Sequence, residues 1–409
     1  MPLTASTARL PASQDDVRRR NLGHLLSLLH MRGVMSRAAL TALTGLNRST
    51  VKALTADLVD AGLAVESAPV GRGGAGRPSI TVGPASDHVF VLSVDLGVER
   101  LTAARVSLGG AVLDRRSLRQ TSSDFTVSHT LTRLTCLLRA LLDGAPAGAS
   151  CVGVGVGVCG IVSREDGTVR FAPNLGWVDV PLRHLMVEVL DTRLSIDLGN
   201  DGDVGALAEH LRGAGSGVSD MVFVAGEAGI GGGVIVDGQP FRGAGGYAGE
   251  VGHMSVDPKG RVCRCGRRGC WETEISREAV LLATKAPPGT SLEQVLTAYA
   301  LGERWALPGM RRVGRSLGAG VANLVNIFNP ELIVFGGVVQ HIFAATEPLV
   351  RKALAEALVA PGEHVRLAVA GLAEDSVLLG AAELAFAPLL EDPLGLLSLH
   401  RPDPVGAGV

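Results

Sequence analysis

Several things are scarce in this chain of 409 residues, and each absence narrows what it can be. No apolar stretch is long enough to cross a bilayer. The longest unbroken run of apolar residues and glycine, Cys151 to Val162, holds 12 residues, against about 20 for a spanning helix. No amino-terminal segment joins a basic start, an apolar stretch and a small-residue cleavage site, so no export signal is expected and the chain reads as cytoplasmic, with no membrane partner. Net charge is also small, at −2. Hydrophobic residues at 46% and charged ones at 19% describe an ordinary soluble globular protein with room for two or three domains.

There are few cysteines, six in all, and their placement is uneven. Cys136, Cys151 and Cys159 sit in apolar, helix-like or strand-like contexts. Cys263, Cys265 and Cys270 fall together with His253 inside 18 residues. Reduced thiols in the cytoplasm favour metal over disulfide. One imidazole and three potential thiolates are what a closed tetrahedral zinc site requires, so a structural Zn2+ is the expected cofactor. Gly266 and Gly269 allow so short a segment to turn until its sulfurs converge. Glu250 and Glu272 flank the cluster, so the metal would brace a loop that carries carboxylates.

Charge is unevenly spread as well. Residues 1–82 carry ten Arg or Lys against five Asp or Glu, a net +5, which leaves −7 on the remainder. A basic unit on an acidic body suggests a polyanionic partner. Within that unit, Leu22, Leu25, Leu26, Leu28 and Leu29 recur at helical spacing and predict a helix over about 16–31. Ser36 can cap a second helix, Gly45 breaks the chain, and Asn47 can cap a third that reaches about residue 61. Two short helices around a tight glycine turn make a helix-turn-helix.

The third helix opens with Asn47, Arg48, Ser49, Thr50 and Lys52, a polar and basic turn suited to base edges and phosphates. Residues 63–65 and 80–82 can pair as a hairpin around a glycine-rich loop bearing Arg72 and Arg77, a wing aimed at a minor groove. A helical protein–protein module is the other reading of this unit.

The body reads as a duplication. Val89–Val94 is a buried strand followed by a meander turning at Gly109-Gly110, and Met221–Ala225 repeats the strand-then-glycine logic later in the chain. Between them, Cys151–Val158 alternates valine with glycine, which suits a strand approached very closely by a helix. Gly155, Gly157 and Gly160 match a dinucleotide fingerprint in letters only, since strand and turn rather than a helix follow. The expected division is a winged helix-turn-helix domain over 1–84 and a first α/β lobe over 85–199, to which a helix at 376–391 returns. A second lobe covers 200–375 with the zinc loop at 250–272, and a tail follows over 392–409.

Glu250-Val-Gly-His253, then Cys-x-Cys-Gly-x-x-Gly-Cys-x-Glu ending at Glu272, resembles the signature of the ROK family (repressors, open reading frames and kinases). So does the upstream Gly229-Ile-Gly-Gly-Gly, with Asp237-Gly and Arg242-Gly, and the resemblance spans residues 18–390. It implies an actin-like, sugar-kinase-type (RNase H-like) α/β body of two lobes with a hexose-class site between them. The amino-terminal winged helix resembles that of the family's regulators, which its plain kinases lack.

By the same resemblance, sugar contacts fall on Asn174, Asn200, Asp201, Glu250, His253 and Glu272, with His253 shared between metal and sugar. Asp201 matches the kinases' general base. Two loops depart from the kinase pattern: Val98-Glu99 replaces a usual Gly-Thr, and Glu227-Ala228-Gly229 a usual Gly-Thr-Gly. Each departure removes a hydroxyl and adds a carboxylate where polyphosphate would lie. The implied function is a DNA-binding repressor of sugar metabolism without catalysis. Its implied partners are a double-stranded operator with inverted half-sites, a sugar effector, and further copies of itself as dimer or tetramer. The alternative is a glucokinase-like sugar kinase with an added DNA-binding domain, in which Asp201 is catalytic.

Overall fold

The computed structural model describes residues 13–68, 80–121, 124–226, 229–357 and 365–400, and the structural statements below concern those. The chain begins with helix α1 (Gln14–Arg32), capped by Ser13 in a reciprocal box with Asp16. A short strand β1 (Met35–Ser36) precedes α2 (Arg37–Thr44), which Ser36 caps and left-handed Gly45 ends. Helix α3 (Arg48–Asp60) starts at Asn47, whose Oδ1 accepts from the Thr50 amide at 2.8 Å. Strands β2 (Ala64–Ser67) and β3 (Thr81–Pro84) pair antiparallel, and β1 adds to the far edge of β3. This is the expected winged helix-turn-helix with one extra strand. The wing tip with Arg72 and Arg77 lies outside the described residues.

Two five-stranded sheets follow with one topology. The first contains β4 (Val89–Leu96), β5 (Arg100–Ser107), β6 (Val112–Arg119), β7 (Ser150–Val158) and β11 (Ile196–Asn200), with α4 (Val127–Asp143) crossing over before β7. A small antiparallel sheet, β8 (Ile161–Val162), β9 (Val169–Ala172) and β10 (Trp177–Val180), and helix α5 (Leu182–Leu190) lie between β7 and β11.

Helix α6 (Asp201–Arg212) leads to the second sheet of β12 (Met221–Ala225), β13 (Gly231–Val236), β14 (Gln239–Pro240), β15 (Leu332–Phe335) and β16 (Arg366–Val369). Counting each sheet's strands in chain order, both run 3-2-1-4-5, the first three antiparallel and the last two parallel. The second sheet is backed by α7 (Glu272–Ile275), α8 (Arg277–Thr284), α9 (Leu292–Ala300), α10 (Leu307–Phe328) and α11 (Gly337–Ala357). The repeated topology is the duplicated α/β arrangement that the recurring strand-and-glycine pattern predicts, and it matches the actin-like body that the family resemblance implies.

Helix α12 (Ser376–Glu391) returns to the first sheet. The glycines of β7 explain themselves here: a Cβ on Gly155 would stand 1.8 Å from the Ala381 carbonyl oxygen, and one on Gly153 3.0 Å from that of Ala385. The 392–409 segment is not all tail, because Pro393–His400 forms a further helix, α13. Proline at its first position presets the helical φ, and Leu396 packs on the core below, so the chain gains by continuing.

The amino-terminal unit has no core of its own. Leu25, Leu26 and Leu29 of α1, with Val51, Leu54 and Leu58 of α3, join one buried cluster with Val91 and Val106 of the first sheet and Phe386 and Leu389 of α12. Where α1 crosses α12, a Cβ on Gly23 would stand 2.3 Å from the Leu390 carbonyl oxygen.

Candidate functional site

The cleft between the lobes is built from the start of α6. Asn200 ends β11 and caps the helix: its Oδ1 accepts from the Gly202 amide at 2.8 Å and from Asp203 at 3.2 Å, and its Nδ2 donates to Gly160 O at 3.0 Å. Its oxygen is thus engaged in holding the helix, so a sugar contact of the kind the resemblance implies would fall to Nδ2. Asp201 follows as the first helical residue, half-buried, and the loss of water around its carboxyl pushes it up to about 6.

Asp203, which the sequence reading did not single out, is pushed up to about 7. Burial is the chief cause; Arg242 opposes it, and Glu250 and Asp201 add to it. Glu250 reaches about 7 through burial and the fields of Asp201 and Glu272. Neighbouring carboxylates held near neutral pH give the cleft strong acceptors for hydroxyl hydrogens.

The facing wall is the loop from Glu250 to Glu272. His253, Cys263, Cys265 and Cys270 offer ligand atoms that all lie within 4.8 Å of one another. His253 Nδ1 is 3.6 Å from Cys263 Sγ, and the sulfurs of Cys265 and Cys270 are 3.7 Å apart. A tetrahedron with Zn–S bonds of about 2.3 Å has edges of about 3.8 Å, so the four groups could hold a metal ion. Left-handed Gly266 (φ 87°) and Gly269 (φ 65°) make the tight returns this requires.

Trp271 anchors the loop. It is fully buried, its Nε1 donates to Ser316 O of α10 at 2.9 Å, and a Cβ on Gly320 would stand 2.0 Å from its indole. Glu272 joins metal loop and cleft: its Oε1 accepts from Cys263 Sγ at 2.8 Å and its Oε2 from the Ile230 amide at 3.3 Å. His253 turns Nε2 toward Glu250 Oε2, 3.9 Å away, while Nδ1 faces the sulfurs.

Asn174, in the turn between β9 and β10, belongs to the first lobe but reaches the second. A Cβ on Gly229 would stand 2.9 Å from its Nδ2 and 3.1 Å from Glu272 Oε2. Arg264 of the metal loop donates to Asn174 Oδ1 at 2.8 Å. Asn174, Asp201, Glu250, His253 and Glu272 therefore converge. A second bridge closes the other end of the cleft, where Arg277 Nη1 of α8 donates to Glu99 Oε1 of the β4–β5 turn at 2.9 Å. Neither Arg264 nor Arg277 carried a signal recognisable from sequence spacing, since both contacts join residues far apart in the chain. Glu227 and Ala228 of the other altered loop lie outside the described residues.

At the far end of the molecule, α3 presents its first turn outward. Val51, Leu54 and Leu58 are buried, and Asn47, Arg48, Ser49 and Lys52 are exposed, with Thr50 half-buried. Asn47 Oδ1 also accepts from Ser49 Oγ at 2.7 Å, so those two side chains stiffen the cap.

Comparison with known proteins supplies context for this geometry. The family model described as "ROK family" matches residues 91–387. The chain is 30% identical over 381 residues to the xylose repressor of Caldicellulosiruptor bescii, covering 88% of this chain and 94% of that protein. It is 30% identical over 306 residues to a glucokinase of Halalkalibacterium halodurans, covering 70% of this chain and 92% of the other. Among solved structures, a ROK family transcriptional regulator homologous to the E. coli MLC protein superposes with a TM-score of 0.76 at 27% identity, over 94% of this chain and all but 1% of that one. A ROK family glucokinase from Streptomyces griseus, solved with glucose and AMPPNP, gives 0.63 at 28% identity over 72% of this chain and 98% of its own.

Proposed function

The chain belongs to the ROK family, and from that premise we propose that it is a DNA-binding transcriptional repressor whose effector is a sugar bound between the lobes. The observation that carries the reading is a winged helix-turn-helix, with its basic helix turn exposed, built into the same core as a sugar-kinase-type body. Support also comes from the similarity to xylose repressors, which extends over most of both chains, whereas glucokinases match a smaller share of this one. Asn174, Asp201, Glu250, His253 and Glu272 would take the sugar, their carboxylates accepting from its hydroxyls. His253, Cys263, Cys265 and Cys270 would hold a structural Zn2+ that fixes Glu250 and Glu272 in place.

Asn47, Arg48, Ser49, Thr50 and Lys52 would meet the major groove, and Arg72 and Arg77 the minor groove. A single such unit spans few base pairs, so a dimer on inverted half-sites is the working assembly. Among the described residues no helix is long and apolar enough to cross a membrane.

A kinase is the second reading, favoured by Asp201, whose raised carboxyl is what a general base would need. Against it stands the Glu99–Arg277 bridge, which sets a carboxylate and an ion pair where the family's kinases would seat nucleotide phosphates. Two measurements separate the readings. Fluorescence anisotropy on a duplex selected from random DNA by the protein itself should show tight binding that D-xylose or another aldose alters. A coupled ATPase assay over the same sugars should stay at background, and turnover above it would give the kinase reading precedence.

A further inference from the structure

We propose that α6 is the element that transmits the state of the cleft to the DNA-binding unit, with His30, Arg212 and Glu383 as the residues that position its far end. The inference rests on the sugar-site reading above. Helix α6 starts in the cleft with Asp201 and runs for 12 residues to Arg212, a length of about 18 Å.

It is gripped along that length. A Cβ on Gly202 would stand 2.5 Å from Gly232 O of the second sheet, and one on Gly205 2.5 Å from the Phe223 ring. On the opposite side a Cβ on Gly380 of α12 would stand 1.8 Å from Val204 O. With backbone against backbone on two sides, neither end can shift while the other stays in place.

At the far end, three elements and a turn meet around one guanidinium. Arg212 Nε donates to Glu383 Oε1 of α12 at 2.6 Å, and its Nη1 donates to Gly109 O at 3.1 Å. Its Nη2 donates to the His30 carbonyl at 3.4 Å and stands 2.7 Å from His30 Nε2. His30, in the last turn of α1, has a side chain with no exposed surface. The Gly109 amide, which can only donate, reaches its Nδ1 at 2.9 Å. The ring's other nitrogen, Nε2, lies 3.0 Å from Glu383 Oε2.

Gly110 (φ 88°) leaves room for the guanidinium, since a Cβ there would stand 2.5 Å from Arg212 Cζ. Burial would raise the Glu383 carboxyl, but His30 and Arg212 together hold it below its ordinary value.

A buried ion pair is a poor way to gain stability, since apolar side chains of equal volume do as well or better. It is a good way to specify register, because every partner must be in place before any is satisfied. Elsewhere α1 meets the body through apolar side chains, the close approach of Gly23 to the Leu390 carbonyl and the exposed pair Arg19–Asp392. The buried network adds a polar tie between α1 and α6, whose first residue lies in the cleft.

The test uses the full-length protein and two shape-conserving variants, Glu383→Gln and Arg212→Lys, with circular dichroism confirming the fold and Arg212→Lys serving as the milder change. Operator affinity is measured on the duplex selected by the wild type, with and without D-xylose. Hydrogen exchange at the Gly202 and Asp203 amides is measured with and without that duplex, which needs no sugar. In the wild type the duplex should change exchange at those amides several-fold, and the sugar should change operator affinity by a factor of about 5–150. In both variants each effect should fall within twofold of none, while sugar affinity by calorimetry stays within threefold of wild type. Variants that keep wild-type coupling, or a wild type whose α6 amides ignore the duplex, overturn the proposal. Operator-dependent exchange without a response to any aldose sinks the sugar reading alone.

Discussion

Replacing Glu209 with alanine would strip three main-chain amides of the carboxylate they donate to. Glu209 is wholly buried in α6, and it accepts from Ala214 N at 2.8 Å, Gly371 N at 2.9 Å, Leu372 N at 3.0 Å and Ser376 Oγ at 2.7 Å. It ties the end of α6 to the turn that starts α12. A buried donor left without an acceptor costs about 1–3 kcal/mol. Taking the low end for each of the three amides, and letting the serine hydroxyl rotate to another partner, gives about 3 kcal/mol. Unfolding entropy of about 2.1 cal/mol/K per residue amounts to roughly 0.86 kcal/mol/K for the whole chain, so the melting temperature should fall by about 3.5 °C. Glu209→Gln keeps one acceptor oxygen and should lose about half as much. Differential scanning calorimetry of the three proteins measures this directly. An alanine variant melting within 1 °C of wild type would refute the argument that these bonds hold the two helices together.

Three further outcomes are expected. Cys265→Ser should drop bound zinc from one per chain to near zero by plasma emission and weaken sugar binding at least tenfold; full zinc and full affinity would end the metal assignment. Losing Lys52 or Arg48 to alanine should flatten the salt dependence of DNA binding by about one unit of log–log slope, and an unchanged slope in both would remove α3 from the groove. Sugar affinity should fall as pH drops through about 6, where the carboxyl of Asp201 gains its proton and loses the charge that makes it a strong acceptor. Asp203 and Glu250 titrate just above, near 7, so the diagnostic is the difference between wild type and Asp201→Asn in calorimetric titrations from pH 5 to 8, and identical profiles would exclude Asp201 from the site.

Much of the molecule was legible because its signals are local. Ser36, Gly45 and Asn47 are caps and a stop that act within one turn, and the helices appear where those residues put them. The alternating glycines of β7 announced a close helix, although only the structure identifies it as α12, more than 200 residues later. The metal cluster lies within one loop, so spacing alone brought its four groups together. What escaped was non-local. His30 looked like one more residue on a leucine-rich helix, and nothing near it in sequence hints at Arg212 or Glu383. Asn200 reads equally well as a sugar ligand or a cap, and only the amides of Gly202 and Asp203 decide how its oxygen is used.

The joint between reader and body carries a consequence for the DNA. Strand β3 ends at Pro84 and β4 begins at Val89, and the four residues between them are themselves hydrogen-bonded, with Ala85 N donating to Leu63 O and Val89 N to Ala85 O. There is no tether. In a dimer of such chains the distance between recognition helices is set by how the two bodies abut, as if the readers were machined onto one frame. One base pair added between half-sites moves the second by about 3.4 Å and turns it by about 35°. A reader on a flexible strap would absorb that displacement. This one has to bend the DNA or let go, so spacer length should be selected as stringently as any base.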